Sequence, residues 1–249
     1  MIKFFLYLQL LALILNAQVN TEPLKKLALT PGNHHFISLG GTLNSGTSSY
    51  YSISNEYRFD YIPKEYNQMR HIFVTKYNYS KSETTEIKNN SFSHYRLIKN
   101  LSRLSSYELF FQNESNSFKE LKRRLLLGLS KRKKHTLAHN LIITLGLGTM
   151  YELEKYSNQN SFSKEARMTN NLILSKEITD SFNINWVNYH QPKISNFTDF
   201  RVLSELELRN KISNSVTFST VMKYDYDSNT PSEYKKSNLN ISQKFKFKI

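Results

Sequence analysis

Hydrophobic and polar positions alternate along most of the chain. From Tyr51, one set of every second residue is Tyr51, Ile53, Asn55, Tyr57, Phe59 and Tyr61, and the set between is Ser52, Ser54, Glu56, Arg58 and Asp60. A period of two is the mark of a β-strand with unlike faces. The far end repeats it: Leu239, Ile241, Phe245, Phe247 and Ile249 share one face, with Asn240, Ser242, Lys244, Lys246 and Lys248 on the other. Segments of the same kind fall at residues 35–43, 69–79, 91–99, 106–114, 121–131, 140–151, 166–176, 181–189, 200–212 and 216–226. With 49–61 and 237–249 they predict about twelve strands. The intervening stretches differ in kind. Residues 99–104, 176–181 and 210–215 are compact, each with Ile or Leu followed by Ser or Thr. Residues 80–87, 115–120, 152–164, 190–199 and 227–236 are longer and more polar. Short turns on one rim and longer loops on the other is the asymmetry of outer-membrane barrels.

The N-terminus reads as an address. Met1-Ile-Lys3 is a basic start, Phe4–Leu15 is apolar but for Gln9, and Ala17 precedes Gln18. This is the pattern of a secretory signal, too short to cross a bilayer as a helix. The expected organisation is a signal peptide at 1–17, a periplasmic lead-in at 18–33 and one β-barrel domain at 34–249.

Composition removes several classes. The chain has 249 residues and no cysteine, so disulfide scaffolds and cysteine-ligated metal centres are excluded. It contains 34 Lys and Arg against 20 Asp and Glu, a formal charge of +14. No run of about 18 apolar residues is present, which excludes a bundle of membrane helices. A mean hydropathy of −0.53 suits a soluble protein. It suits a barrel equally, because half of every strand is then polar.

Charge decides which face meets lipid. A Lys or Arg on the lipid face costs about 2–4 kcal/mol at the bilayer midplane. In residues 200–212 one face carries Arg201, Glu205, Glu207 and Arg209, and the other Phe200, Val202, Leu206 and Leu208. The charged set belongs in the lumen, and the same reasoning places Glu56, Arg58, Lys122, Arg124, Lys223 and Asp225 there. Arg123 falls on the apolar face at a strand start, where it can snorkel to the interface. Lumenal charges of both signs either pair and fill the interior or line a polar conduit.

Chemistry is sparse. His135-Thr-Leu-Ala-His139 has metal-like spacing but lacks the Glu that follows the first His in metalloprotease helices. There is no Gly-x-Ser-x-Gly elbow and no phosphate-binding loop. Lys131-Arg-Lys-Lys134 is the one dense basic run, expected on a periplasmic turn, where acidic headgroups or solvent would meet it. Asp225, Asp227 and Glu233 could hold a divalent cation, but Lys235 and Lys236 neutralise that loop. No catalytic residue, metal ligand or cofactor site is assigned, and no enzyme activity is expected.

Three stretches resemble the salt-induced outer-membrane protein family, a β-barrel family of unknown function. Tyr226-Asp-Ser-Asn-Thr-Pro-Ser-Glu-Tyr-Lys-Lys236 is similar to its Tyr-Asp-Ser-x-Pro-Pro loop and basic pair. Phe36-Ile-Ser-Leu-Gly-Gly-Thr-Leu-Asn-Ser-Gly46 is similar to its first strand and turn, and Tyr107–Gly128 to a strand pair ending in Arg-Leu-Leu-Leu-Gly. The resemblance implies an integral outer-membrane barrel and no particular chemistry. The expected fold is therefore all-β, a single antiparallel transmembrane barrel of about twelve strands in a bacterial outer membrane. Its expected partners are outer-membrane lipid, lipopolysaccharide and the barrel-assembly machinery, with no nucleic acid. Three roles stay open: a narrow polar channel or osmotic-stress protein, a plugged structural or surface-binding barrel, and a soluble periplasmic β protein.

Overall fold

The computed structural model describes residues 30–44, 50–65, 68–82, 85–117, 120–137, 140–213, 216–230 and 236–247. The expected signal peptide and most of the lead-in lie outside these residues, as do His139, Glu233 and Lys235.

Thirteen strands are described: β1 (Gly32–Asn44), β2 (Tyr50–Ile62), β3 (Met69–Ser82), β4 (Thr85–Asn100), β5 (Ser105–Asn116), β6 (Leu121–Thr136) and β7 (Leu141–Tyr156). Then follow β8 (Ser163–Met168), β9 (Asn170–Glu177), β10 (Phe182–Lys193), β11 (Asn196–Lys211), β12 (Val216–Asp227) and β13 (Ser237–Phe247). Hydrogen-bonded neighbours follow chain order from β1 to β13, with β9 paired to both β7 and β10. The pairs β1–β2, β2–β3, β3–β4, β4–β5, β7–β9, β9–β10, β10–β11, β11–β12 and β12–β13 are antiparallel. Strands β8 and β9 are one run interrupted at Thr169, whose N–H donates to the Gly148 carbonyl at 2.8 Å. Each of the twelve alternating segments is thus a strand.

The chain divides into two compact units. The first contains Leu27–Lys131 and Thr149–Ala166, the second Arg132–Gly148 and Arg167–Ile249.

The compact turns repeat one geometry. The N–H of Leu101, Leu137, Ile178 and Ile212 donates to the carbonyl four residues on, at 2.8–2.9 Å. In three of these turns the following Ser or Thr caps the backbone: Ser102 Oγ accepts from Leu104 and Ser105, Thr179 Oγ1 from Ser181 and Phe182, and Ser213 Oγ from Val216. That is why an aliphatic residue followed by a hydroxyl residue recurs in the sequence. The hydroxyl satisfies amides that the reversing backbone leaves without carbonyl partners.

Two of the longer connections are tighter than expected. The loop expected at 190–199 is a hairpin in which Lys193 pairs with Asn196. Strand β7 runs on to Tyr156, leaving only 157–162 before β8. The basic run Lys131–Lys134 is not a turn. It lies inside β6, with Arg132 buried and Lys131 and Lys133 exposed. A polar stretch with period two continues a strand when one face of the sheet is already charged.

On β5 to β7 burial follows parity, in the reverse of its usual sense. Within β5 of the first unit, Glu108, Phe110, Gln112 and Glu114 are buried, while Tyr107, Leu109 and Phe111 are exposed. In β6, Arg124, Leu126 and Gly128 are buried, and Leu127 and Leu129 are each 56% exposed. In the second unit, Gly146 of β7 is buried beside Leu147 at 67% exposed.

Small apolar clusters interrupt the enclosed polar faces. Phe110, Leu126 and Met150 form one in the first unit, and Ile173, Val187, Tyr189 and Leu203 one in the second. Gly128 makes room for the first. A Cβ there would lie 2.4 Å from the Phe110 ring and 2.8 Å from Met150 Cβ.

Candidate functional site: the enclosed charged faces

Among the described residues, the buried face of the first unit carries ion pairs on each strand from β2 to β7. Asp60 on β2 is fully buried and accepts from Arg58 Nε and Nη2, each at 2.8 Å, and also from Arg70 on β3. Arg58 and Asp60 are two residues apart, so the strand's own period sets them side by side. Arg96 Nη1 stands 3.3 Å from Glu108 on the neighbouring strand, and Arg96 Nε donates to His94 Nε2 at 3.3 Å. His94 stacks between Phe92 and Phe110, with centroids 6.0 and 6.2 Å away.

A further group centres on Arg124. Glu154 accepts from it, Glu114 lies at 3.5 Å and Glu152 at 3.8 Å. Gln112 Nε2 donates to Glu114 at 3.3 Å. Strands β5, β6 and β7 each contribute, so this guanidinium ties three strands together. Glu56 pairs with Lys76 at 2.9 Å in a more open position.

The second unit follows the same rule. Arg167 donates to Asp199 Oδ1 at 2.9 Å, and to the backbone carbonyls of Gln191 and Asp199. Asn229 Nδ2 adds a bond to Asp199 at 3.2 Å. Arg201 donates to Asp227 at 2.8 Å, directly across the β11–β12 ladder. Arg209 pairs with Glu207 on its own strand at 2.9 Å, and Lys223 lies 3.5 Å from Asp225. Glu205 faces Lys223 in the ladder register.

Of the charges assigned to the polar face from sequence, Arg58, Arg124, Arg201, Glu207 and Asp225 are buried and ion-paired. Glu56, Glu205, Arg209 and Lys223 are half-buried, and Lys122 at the start of β6 is exposed. Arg123 is exposed on the opposite face and donates to Asn113 Oδ1 at 3.1 Å.

Sequence reasoning missed Asp60, Glu108, Glu114, Glu152, Glu154, Arg167 and Asp199 as members of these groups. The signal was present as same-parity pairs such as Arg58 with Asp60 and Glu152 with Glu154. Carrying parity into the polar strand ends would have found them.

The arrangement is one of mutual neutralisation. A buried charge survives when a partner of opposite sign and hydrogen bonds replace its hydration, and the groups around Asp60, Arg124, Arg167 and Arg201 supply both. Among the described residues, no three His, Asp or Glu side chains are placed to hold a metal ion. Asp227 is engaged by Arg201, and Asp225 lies against Lys223.

An all-β antiparallel sheet with ion pairs on its enclosed faces defines a class of architecture before it defines a protein. Residues 37–247 match a family described as "Protein of unknown function, DUF481", and the chain belongs to that family. The family's description names neither a salt response nor a membrane location, which leaves the resemblance noted from sequence at the level of the family. No curated protein matches the chain.

Proposed function

We propose that this protein is an integral β-barrel of a bacterial outer membrane, with a structural or surface role and an interior filled by its own paired side chains. The observation that carries this reading is the inversion of burial: Glu152 is 1% exposed and Leu127 56% exposed on adjacent strands. In water, such a protein would present leucine and phenylalanine while enclosing arginine and glutamate, against the hydrophobic driving force. In lipid the same arrangement is the favourable one.

Three further features fit. Strands of 12 to 16 residues are long enough to cross a bilayer, which takes about 9–11 tilted residues. On the open face of β6, Arg123 and Lys131 bracket Leu125, Leu127 and Leu129. Eight residues span about 26 Å along a strand and about 20 Å across a bilayer at a tilt near 40°, close to the apolar band of known barrels. With β8 and β9 counted as one, the described strands make an even number, twelve, as in bacterial outer-membrane barrels. Closure satisfies the edge amides that lipid cannot.

The pairing of the enclosed charges favours a filled barrel over an open pore. Eight-stranded barrels are filled and 16–18-stranded ones hold a channel, so strand number alone does not choose. Its partners in this reading are outer-membrane lipid, lipopolysaccharide and the assembly machinery. The chain refolded into vesicles should resist carbonate extraction and migrate faster unboiled than boiled. It should also give no conductance steps in a planar bilayer. Extraction into the aqueous fraction, with no heat-dependent shift, would instead establish a water-soluble β protein.

A further inference from the structure

We infer that the open face of β4–β6 carries a binding site for the headgroup of an acidic phospholipid, formed by Lys99, Tyr107 and Lys131. The inference rests on the membrane reading above and goes beyond it, because it assigns a lipid class to one place on the surface.

The ladder places Lys99 of β4 directly opposite Tyr107 of β5. Lys131 of β6, the next strand, sets its ammonium over the same ring, 5.6 Å from the centroid. All three side chains are exposed. The tyrosine is thus flanked by a cation from each neighbouring strand, and the ring contact holds one of them in place. Two positions further toward mid-strand, on the same face, stand Leu97, Leu109 and Leu129. Leu97 pairs with Leu109 across the ladder, and Leu109 and Leu129 are exposed.

Two cations and a phenol above an apolar floor match a phosphodiester above an acyl chain. A free phosphate would have no use for the leucines, and a neutral zwitterionic lipid would leave two ammonium groups unbalanced. No Asp or Glu occupies this face at the odd positions of 89–99, 105–115 or 121–135. The acids of β5 all lie on the opposite, enclosed face, where arginines take them up. The lysines therefore have no acidic partner on their own face, and an anion from the membrane completes them. Attraction of basic rims to acidic lipid is a general property of membrane surfaces. The ladder makes this one a site rather than a diffuse field.

The test uses the full chain refolded into phosphatidylcholine vesicles containing trace spin-labelled phosphatidylglycerol or phosphatidylcholine. Electron paramagnetic resonance reads the fraction of each label immobilised at the protein surface. The wild-type chain should favour phosphatidylglycerol severalfold. The Lys99→Gln, Lys131→Gln double variant should lose at least half of that preference, and Arg123→Gln at the opposite end of β6 should keep it. Equal preference in the double variant and wild type, or none in a wild type that shows the heat-dependent gel shift, would overturn the site alone. Loss of the preference to inorganic phosphate beyond an equal ionic strength of chloride would reassign it to free phosphate and overturn it too. A chain that neither inserts nor shifts would overturn the site together with the barrel.

Discussion

Strands β5 and β6 and strands β10 and β11 are built from the same alternation, yet they treat their two faces differently. On β5 and β6 the open face is apolar at mid-strand, and the charges lie on the buried face around Phe110 and Leu126. Glu108, Glu114 and Arg124 are enclosed, and Leu109, Phe111, Leu127 and Leu129 are exposed. On β10 and β11 each face is mixed. The face that carries Arg201 and Glu207 also carries Val187, Tyr189 and the fully buried Leu203. The opposite face carries Trp186, Asn188, His190 and Ser204 among its apolar residues, with the Trp186 indole N–H donating to Ser204 Oγ at 2.8 Å.

The difference shows what the period of two does and does not specify. It fixes which side chains share a face. Whether that face is enclosed depends on how its polar groups find partners. Arginine on β6 is enclosed because carboxylates on both neighbouring strands reach it. On the opposite face of β10 and β11 the contact is local, one indole meeting one hydroxyl, Trp186 and Ser204.

Substitutions can sharpen this contrast. The largest effect is expected at Arg124. Arg124→Met would leave Glu114, Glu152 and Glu154 without their shared cation and cost about 3–5 kcal/mol of stability. Lys76→Met, whose partner Glu56 is as open to solvent as Lys76 itself, should cost under about 1 kcal/mol. Urea unfolding of the two variants in vesicles measures the gap; equal losses would mean that burial of the network is not what matters.

Next in size is Leu127→Arg, expected to cost about 2–4 kcal/mol if Leu127 meets lipid near mid-bilayer. Ile178→Arg, at an exposed turn, should cost about 0–1 kcal/mol. In a water-soluble protein both changes would fall within about 0.5 kcal/mol of zero, so the ratio between them is diagnostic.

Smaller losses test packing on each side of the comparison. Gly128→Ala forces a methyl against the Phe110 ring and Met150 Cβ and should cost about 1–3 kcal/mol. Trp186→Phe keeps the ring but removes the bond to Ser204, and about 0.5–1.5 kcal/mol is expected. Equilibrium unfolding ranks the two.

Much of the fold was legible in the sequence, because alternation survives in any sheet with unlike faces. All twelve segments became strands, and the Ser102, Thr179 and Ser213 turn signals proved to be caps. Strand ends were not legible for a physical reason. Glu152-Leu-Glu154-Lys-Tyr156 looks like a loop if charge is taken to mean solvent, yet Glu152 and Glu154 are enclosed. The basic run Lys131–Lys134 misled in the same way. The break at Thr169 left no mark, because nothing in Met168-Thr-Asn170 interrupts the period. The candidate charges were found wherever an apolar strand framed them, as with Arg58 and Arg201. They were missed wherever their partners lay in polar stretches, as with Asp199 beside Arg167.

The most direct test of the central claim, that the leucine face meets lipid, is available because the chain has no cysteine of its own. A nitroxide attached at Leu127→Cys, in the chain refolded into vesicles, can be relaxed by oxygen, which concentrates in lipid, or by a water-soluble nickel chelate. Relaxation dominated by oxygen, with the nickel chelate nearly without effect, is the predicted result. Relaxation dominated by the nickel chelate would place Leu127 in water and contradict the account.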